Sequence, residues 1–319
     1  MKNKSAHRFT AAKAGRLAWK IIRAVIIFGI CFIILQPLFA KLSVSVMDEH
    51  DLYDSSVKYV PKHFTWNNFK MAFEGLEFKT SFLKTLLLSG GIAVLQLTAC
   101  MLSAYGFARF RFPGRKILFG CVLFTMIVPP QIIMLPMFML YRFFDPLGLV
   151  SLFKGAKINL INTPWPLIIQ ALTCTGFKNG LYIYMLRQFF KGMPRELDEA
   201  AFVDGCGKFR TFWQIMLPSA VPMMVTVFLF GFVWQWTDSF YSGLYMPTTK
   251  VLSTELNSLA ASVYNQYESS GGSMNFISPG FASMMNNTGV IILIVPLIII
   301  YLVCQKYFVE GIERSGIVG

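Results

Sequence analysis

The sequence predicts an all-α integral membrane protein with six transmembrane helices and both termini in the cytoplasm. Of its 319 residues, 55% are hydrophobic and 14% are charged, and the mean hydropathy is +0.55. Such values are typical of a protein that crosses a bilayer several times. Six apolar runs are each long enough to cross a hydrocarbon core about 30 Å thick, which takes about 20 helical residues.

The first apolar run follows a basic N-terminus but is too long for a signal peptide, and no small-residue cleavage site follows it. We therefore expect it to remain as the first span. Pro129 and Pro130 fall inside the third run and predict a kink there. The six predicted spans are residues 21–46, 82–108, 117–143, 165–187, 219–245 and 288–308.

The distribution of basic residues predicts the orientation. With the N-terminus inside, 18 of the 29 Lys and Arg residues fall in inner segments and only 7 in outer loops. This bias places residues 188–218 in the cytoplasm and residues 246–287 outside. Residues 1–20 precede the six-span membrane domain of residues 21–319, and their sequence favours a short helix along the inner membrane surface.

Several kinds of chemistry are excluded by composition. The net charge of +13 comes with no basic face carrying interleaved aromatics, so we expect no nucleic-acid partner. The six cysteines form no CxxC or Cys/His cluster, and the three histidines all precede residue 64. Neither a metal site nor a catalytic centre is expected.

The cytoplasmic segment 188–218 is unusually polar for this chain. Its "PRELDEAAFVDG" predicts a short helix whose early acidic residues complement the positive end of the helix dipole. Gly205 and Gly207 permit a bend, and "KFRTFWQIML" predicts a second, amphipathic helix that Pro218 would end. The segment is either an ordinary solvated loop or a hinged helix offered to a partner protein.

This segment resembles the EAA loop of the membrane subunits of ATP-binding-cassette (ABC) importers. That motif reads E-A-A, three residues, G, nine residues, I, one residue, L-P. Asp204 gives the common D-G form, whereas Cys206 replaces the more usual Ala. The matching positions are Glu199, Ala200, Ala201, Gly205, Ile215, Leu217 and Pro218. We call residues 188–218 the EAA loop.

Other segments resemble the carbohydrate-importer subgroup, and within it the smaller permease of the maltose-transporter type. They are "LSAYGFARFRFPGR", "LGLVSL…INTPWPLII", "MLRQFFKGMPRELDEAA" and "QKYFVEG". The likeness covers most of residues 65–319 and implies the type I ABC importer permease fold. An inserted "SLFKGAKIN" and the fifth-span "VWQWTDSF" depart from the subgroup and bear on the choice of substrate.

The resemblance also implies a mechanism and partners. The EAA helix would dock in a cleft of a cytoplasmic ATPase dimer, with Glu199 making polar contacts, and would carry its ATP-driven closure to the spans. The other partners would be a second, different permease subunit, an extracellular solute-binding protein, a sugar or oligosaccharide and the lipid of a bacterial or archaeal plasma membrane. No G-x-x-x-x-G-K-[ST] occurs, so ATP would be bound by the partner subunits and this chain would be no enzyme.

Ionisable residues at membrane depth are costly and usually face a cavity, so they are candidates for the substrate pathway. Aromatic faces beside amides and carboxylates suit sugar rings and hydroxyls. The alternatives are an ion pair between Lys178 and Asp238, or a lysine that snorkels to water. A lysine in the pathway would favour an acidic sugar. The candidates are Lys178 and Asn179 in the fourth span, and Trp234, Gln235, Trp236, Thr237 and Asp238 in the fifth.

The predicted outer loop 246–287 is long, polar and rich in Ser, Asn and Gly. It is either an inert linker or, as the resemblance implies, a contact with the sugar-binding protein. Near its middle, Tyr264, Asn265 and Gln266 are candidate contacts.

Two other classes of membrane protein remain as alternatives. A self-contained secondary carrier would need intramembrane acids for ion coupling, and only Asp238 is available; two related halves are not visible either. A purely structural anchor leaves the EAA loop unexplained. Within the ABC class, a peptide or another polar solute could replace the sugar.

Overall fold

The computed structural model describes residues 3–269 and 277–316, and within these ranges every regular element is helical. Two isolated β-bridges occur there, Met47 with Phe64 and Phe144 with Ile158. The helices are α1 Asn3–Ser45, α2 Asn67–Gly75, α3 Phe78–Arg109, α4 Arg115–Thr125, α5 Pro130–Arg142, α6 Leu149–Lys154, α7 Trp165–Leu172, α8 Asn179–Gly192, α9 Glu196–Val203, α10 Lys208–Ser219, α11 Val221–Thr237, α12 Phe240–Tyr245, α13 Leu252–Ser269 and α14 Pro279–Gly316.

Three helices in the described residues are long and apolar enough to cross a membrane alone, and bent pairs raise the number to five. The single helices are Arg16–Ser45 within α1, α3, and Pro279–Tyr307 within α14. The pair α4–α5 is bent by 100° and the pair α10–α11 by 75°. The first bend confirms the predicted kink, because Pro130 begins α5 and, lacking an N–H, cannot continue α4.

The fourth predicted span, residues 165–187, is not a continuous helix, and this prediction was wrong. Helix α7 ends at Leu172, and α8 begins only at Asn179. Between them Cys174 and Lys178 have left-handed φ angles of 56° and 70°, which no helix interior accepts. Hydropathy detects the apolar run but carries no information about such a backbone break.

Two further boundaries differ from the sequence-based picture. Helix α1 runs unbroken from Asn3 to Ser45, so the boundary predicted after residue 20 lies inside one helix. The predicted outer loop 246–287 is largely helical in its described residues, since α13 and the first turns of α14 occupy most of it. Residues 270–276 of that loop lie outside the described residues.

The chain divides into two compact units, residues 1–75 with 259–291, and residues 76–258 with 292–319. In the first unit, the buried Asn68 amide donates to the carbonyls of Ser45 and Met47 and so joins α2 to the end of α1. Helix α13 also packs closely on α2, because a Cβ added at Gly75 would lie 2.5 Å from Val263 Cγ2.

The second unit holds an apolar core built by α3, α8, α10 and α11. Tyr105 of α3 contacts Phe212 of α10 with ring centroids 4.6 Å apart, and Phe190 of α8 with centroids 5.5 Å apart. Met216 and Met223 are fully buried in the same cluster. The second helix of the EAA loop is therefore packed directly against the membrane-spanning α3.

Candidate functional site

The EAA loop has the predicted form of a helix, a glycine bend and a second helix. Glu196, Asp198 and Glu199 occupy the first turn of α9, where their charges complement the helix dipole. The helix ends at Val203 and is capped by Asp204. Gly205 follows with a φ of +79°, a conformation that glycine adopts without the steric cost of a Cβ.

The end of the second helix differs from the prediction. Helix α10 continues through Pro218 to Ser219, and the 75° bend follows there. A π-helical turn over Phe212–Met216 precedes the proline. Its wider spacing gives a physical reason why the proline ring is accommodated inside the helix instead of ending it.

Helix α9 has one buried and one exposed face. Ala201 is buried, whereas Glu199 and Ala200 are exposed and Val203 is 88% exposed. Ile215 and Leu217 of α10 are half-buried, and Pro218 is exposed. The exposed face of α9 thus combines the acids Glu196 and Glu199 with small and apolar side chains.

A buried ion pair ties α9 to the end of α3. Arg109 Nη1 lies 2.9 Å from Asp198 Oδ2, with the two side chains only 8% and 16% exposed. Arg109 Nη2 also donates to the carbonyl of Met193 at 2.9 Å. The loop's first helix therefore cannot move relative to α3 without breaking charged hydrogen bonds. Sequence reasoning missed both residues, although the arginine-rich end of the second span was a possible signal.

A cavity of about 350 Å³ lies among α3, α5, α7, α11 and α12. We call it the glutamine-lined cavity, because four glutamine side chains contribute to its wall, together with five aromatic residues. Its volume lies at the lower end of the range for small-molecule sites, and amides with aromatic faces suit a hydroxyl-rich solute. The glutamines are Gln96, Gln131, Gln170 and Gln235, and the aromatic residues are Phe177, Tyr182, Trp234, Phe240 and Tyr241.

Most of the predicted pathway residues lie at this cavity or beside it. Trp234, Gln235, Thr237 and Asp238 line the glutamine-lined cavity, and Lys178 lines a neighbouring one of about 300 Å³. The other two candidates, Asn179 and Trp236, are buried. The indole Nε1 of Trp236 donates to the carbonyl of Leu293 at 3.1 Å, so this side chain packs α11 against α14.

Lys178 is held by aromatic rings. Its Nζ lies 4.5 Å from the centroid of the Phe177 ring and 4.6 Å from that of Trp234. The predicted alternative, an ion pair with Asp238, is not among the salt bridges of the described residues. Asp238 instead accepts from the backbone N–H groups of Tyr241, at 3.1 Å, and Ser242, at 2.8 Å, and so caps α12.

The break between α7 and α8 is stabilised by buried amides. Gln96 Nε2 donates to the carbonyl of Phe177 at 3.1 Å and also to Asn179 Oδ1. Asn179 Nδ2 in turn donates to the carbonyl of Gln170 at 3.3 Å. Irregular backbone at membrane depth is tolerated where its polar groups are satisfied within the protein or line a cavity. Sequence reasoning missed the contributions of Gln96 and Gln170.

The candidate binding-protein contacts lie near the end of α13. Asn265 is exposed, the Tyr264 hydroxyl donates to Glu268 Oε1 at 3.4 Å, and Gln266 Nε2 donates to the carbonyl of Glu74 at 3.4 Å. They are thus carried by a helix rather than by an irregular loop.

Comparison with known proteins gives one family and several relatives. The family described as "Binding-protein-dependent transport system inner membrane component" matches residues 96–314. The alpha-glucoside transport system permease protein AglG of Rhizobium meliloti (strain 1021) is 28% identical over 81% of this chain, an alignment that spans 62% of that relative. The arabinooligosaccharides transport system permease protein AraQ of Bacillus subtilis (strain 168) is 26% identical over 94% of this chain and 96% of its own length.

A further relative and two solved structures show similarity over nearly the whole chain. The sn-glycerol-3-phosphate transport system permease protein UgpE of Yersinia pestis is 24% identical over 91% of this chain and 94% of its own. A crystal structure of a bacterial ABC transporter that imports the acidic polysaccharide alginate matches with a TM-score of 0.69 and 20% identity, covering 92% of this chain and 98% of the matched one. The alginate transporter in complex with a pentasaccharide-bound periplasmic protein matches with a TM-score of 0.63 and 16% identity, over 92% and 95% of the two chains.

Proposed function

The chain belongs to the family of inner membrane components of binding-protein-dependent transport systems, and we propose that it is a permease subunit of a sugar-importing ABC transporter. In this role it takes up a sugar or oligosaccharide together with a second, different permease subunit, an ATPase dimer and an extracellular solute-binding protein. ATP is bound by the ATPase subunits, and this chain provides part of the path through the membrane.

The single observation that carries the proposal is the arrangement of the EAA loop. Helix α9 exposes Glu199, Ala200 and Val203, while Arg109 holds the opposite side of the helix to α3 through Asp198. Small and apolar side chains beside exposed acids suit close docking into a partner's cleft. A displacement of α9 by the ATPase would then reach α3 through the buried ion pair.

The glutamine-lined cavity supports a sugar as the substrate. Its amides can donate to and accept from hydroxyl groups, and Trp234 offers an aromatic face for the apolar side of a sugar ring. Relatives named for alpha-glucosides and arabinooligosaccharides agree with this class. Because Lys178 has aromatic neighbours but no carboxylate partner among the described residues, we include an acidic sugar in the proposal.

The rival, a secondary carrier, finds less support. It needs an intramembrane acid that can exchange protons or ions, and Asp238, the one candidate, is engaged as the cap of α12. An ABC permease for a non-sugar polar solute, such as a peptide, differs from our proposal only in the occupant of the cavity.

The contact with the solute-binding protein is proposed to include the end of α13. Asn265 is exposed there, with Tyr264 and Gln266 beside it.

Co-purification from the native membrane tests the proposal. We expect an ATPase and a second permease to accompany the tagged chain, and Glu199→Lys to lose the ATPase. Glu74→Lys is the matched control, because it reverses another exposed glutamate, which belongs to α2 and lies outside the EAA loop. Retention of the ATPase by Glu199→Lys, or its equal loss from both variants, would exclude the exposed face of α9 as the docking site.

A further inference from the structure

A second polar cavity lies beside the EAA loop and has no part in the proposed sugar path. It measures about 330 Å³ and is formed by the end of α3, α9 and the start of α10. We call it the basic cavity. Its wall consists of three cations, one carboxylate and three aromatic rings: Arg109, Arg111, Lys208, Asp198, Tyr105, Phe110 and Phe202.

The charges of this cavity are not balanced. Arg109 is paired with Asp198, but Arg111 and Lys208 form none of the salt bridges found among the described residues. Lys208 Nζ lies 5.5 Å from the centroid of the Phe110 ring, which holds the ammonium at the cavity without neutralising it. Two positive charges that share one wall favour an anion, and phosphate is the anion that arginine recognises through paired hydrogen bonds.

Two buried atoms of the same wall lack hydrogen-bond partners. Within the described residues neither Asp198 Oδ1 nor Arg109 Nε has one. Buried polar atoms are nearly always satisfied in native proteins, so a ligand in this cavity that brings both an acceptor and a donor would suit these two atoms. An ionised carboxylate oxygen only accepts, and therefore a phosphate without a hydrogen-bond donor cannot satisfy Asp198.

We propose that the basic cavity binds a phosphate ester that also carries a hydroxyl or ammonium group. The phosphate lies between Arg111 and Lys208, and the hydroxyl or ammonium group donates to Asp198. The ligand is either a phospholipid headgroup or a free phosphorylated polyol, since both carry this chemistry. Because Asp198 belongs to α9 and Lys208 to α10, a bound ligand links the two helices across Gly205 and stiffens the bend.

The lipid form is tested first, on the chain of residues 1–319 in nanodiscs of phosphatidylcholine doped with dioleoyl phosphatidylglycerol. Native mass spectrometry then measures which lipids remain bound. We expect retained phosphatidylglycerol, with apparent affinity falling about tenfold or more in Arg111→Gln/Lys208→Gln, since a charged hydrogen bond contributes about a factor of ten. The matched control, Lys116→Gln/Lys191→Gln, removes two exposed positive charges that do not line the cavity and should bind like the unmodified chain.

Two further comparisons test whether the ligand needs a hydrogen-bond donor and whether it is a lipid headgroup or a free phosphorylated polyol. Dioleoyl phosphatidylmethanol has the same phosphodiester charge without free hydroxyls, so it should bind several-fold more weakly than phosphatidylglycerol. Displacement of the lipid by sn-glycerol 3-phosphate would identify a free phosphorylated polyol as a ligand, and persistence of the lipid would identify the headgroup. Two results together would overturn the proposal. The first is equal binding of phosphatidylglycerol and phosphatidylcholine, and the second is that sn-glycerol 3-phosphate either does not bind or binds equally well to Arg111→Gln/Lys208→Gln. Neither ATPase nor sugar is needed, so this result is independent of the proposed transport function.

Discussion

Removing one partner of the Arg109–Asp198 pair should weaken the attachment of the EAA loop to α3 strongly. The side chains are 8% and 16% exposed, and Arg109 also donates to the carbonyl of Met193. A buried ion pair that loses one member leaves the other charge desolvated, at a cost of about 3–5 kcal/mol. We expect either Asp198→Leu or Arg109→Met to lower the free energy of unfolding by about 3 kcal/mol, the lower end of this range, because both groups lie at the edge of the core.

The double variant Arg109→Met/Asp198→Leu measures the coupling energy between the two side chains. Replacing a buried pair by apolar side chains leaves no isolated charge, so the double variant should cost at least about 1 kcal/mol less than the sum of the single ones. The free energy of unfolding of the purified chain, measured by titration with sodium dodecyl sulfate in mixed micelles, gives all three values. If the cost of the double variant equals the sum of the two single costs to within about 0.5 kcal/mol, the two side chains are not coupled and the reasoning is refuted.

Three other predictions follow from close packing, a buried indole and a loop carboxylate. Gly180→Ala should destabilise the chain by about 1–3 kcal/mol, because the new Cβ would lie 2.6 Å from a side-chain oxygen and 2.9 Å from a backbone oxygen of α4. Gly106→Ala is the control: its Cβ meets open space, so the free energy of unfolding in the same titration should not change. Trp236→Phe removes the hydrogen bond to the carbonyl of Leu293, so the free energy of unfolding should fall by about 0.5–1.5 kcal/mol, whereas sugar uptake in vesicles should be kept. Abolished uptake at normal stability would instead indicate a direct role of Trp236 in the pathway. The pKa of Asp51 is lowered, mainly by the backbone N–H of His63, so its stabilising effect is present above the ordinary pKa of 3.8 and is lost as pH falls below it. Tryptophan fluorescence followed from pH 7 to 3 should show a loosening of the loop between α1 and α2 that Asp51→Asn abolishes, and an unchanged acid transition in that variant would contradict this assignment.

The EAA loop could be predicted from sequence because its determinants are local. Acids in the first turn of α9, a glycine at the bend and an apolar period in α10 lie within a few residues of the structures they specify. The exposure of Glu199 and Val203 follows from the same helical period. The Arg109–Asp198 ion pair could not be predicted from local sequence, since it joins residues far apart in the chain.

The break in the fourth predicted span depends on long-range contacts. Gln96 satisfies the carbonyl of Phe177 and the side chain of Asn179 from a different helix, and hydropathy contains no trace of either bond. The same holds for α13, whose Ser- and Asn-rich sequence resembles a loop. Its packing of Val263 against Gly75 supports the helix through a contact distant in sequence.

Asp238 has a local role that its sequence position also indicates. Its carboxylate accepts from the N–H groups of Tyr241 and Ser242, as an acid at the start of a short helix commonly does. The sequence predicts a pathway residue from an acid at membrane depth, and Asp238 does line the glutamine-lined cavity. Asp238 therefore both caps α12 and lines the cavity.

The most direct test of the proposed function is the ATP dependence of sugar uptake. The complex purified from the native membrane is reconstituted into vesicles with its solute-binding protein, and labelled oligosaccharide is followed with and without ATP. We expect uptake only with ATP, its loss in Glu199→Lys, and full activity in Glu74→Lys. Uptake by this chain alone, without ATP and unaffected by Glu199→Lys, would contradict an ABC permease and identify a self-contained carrier.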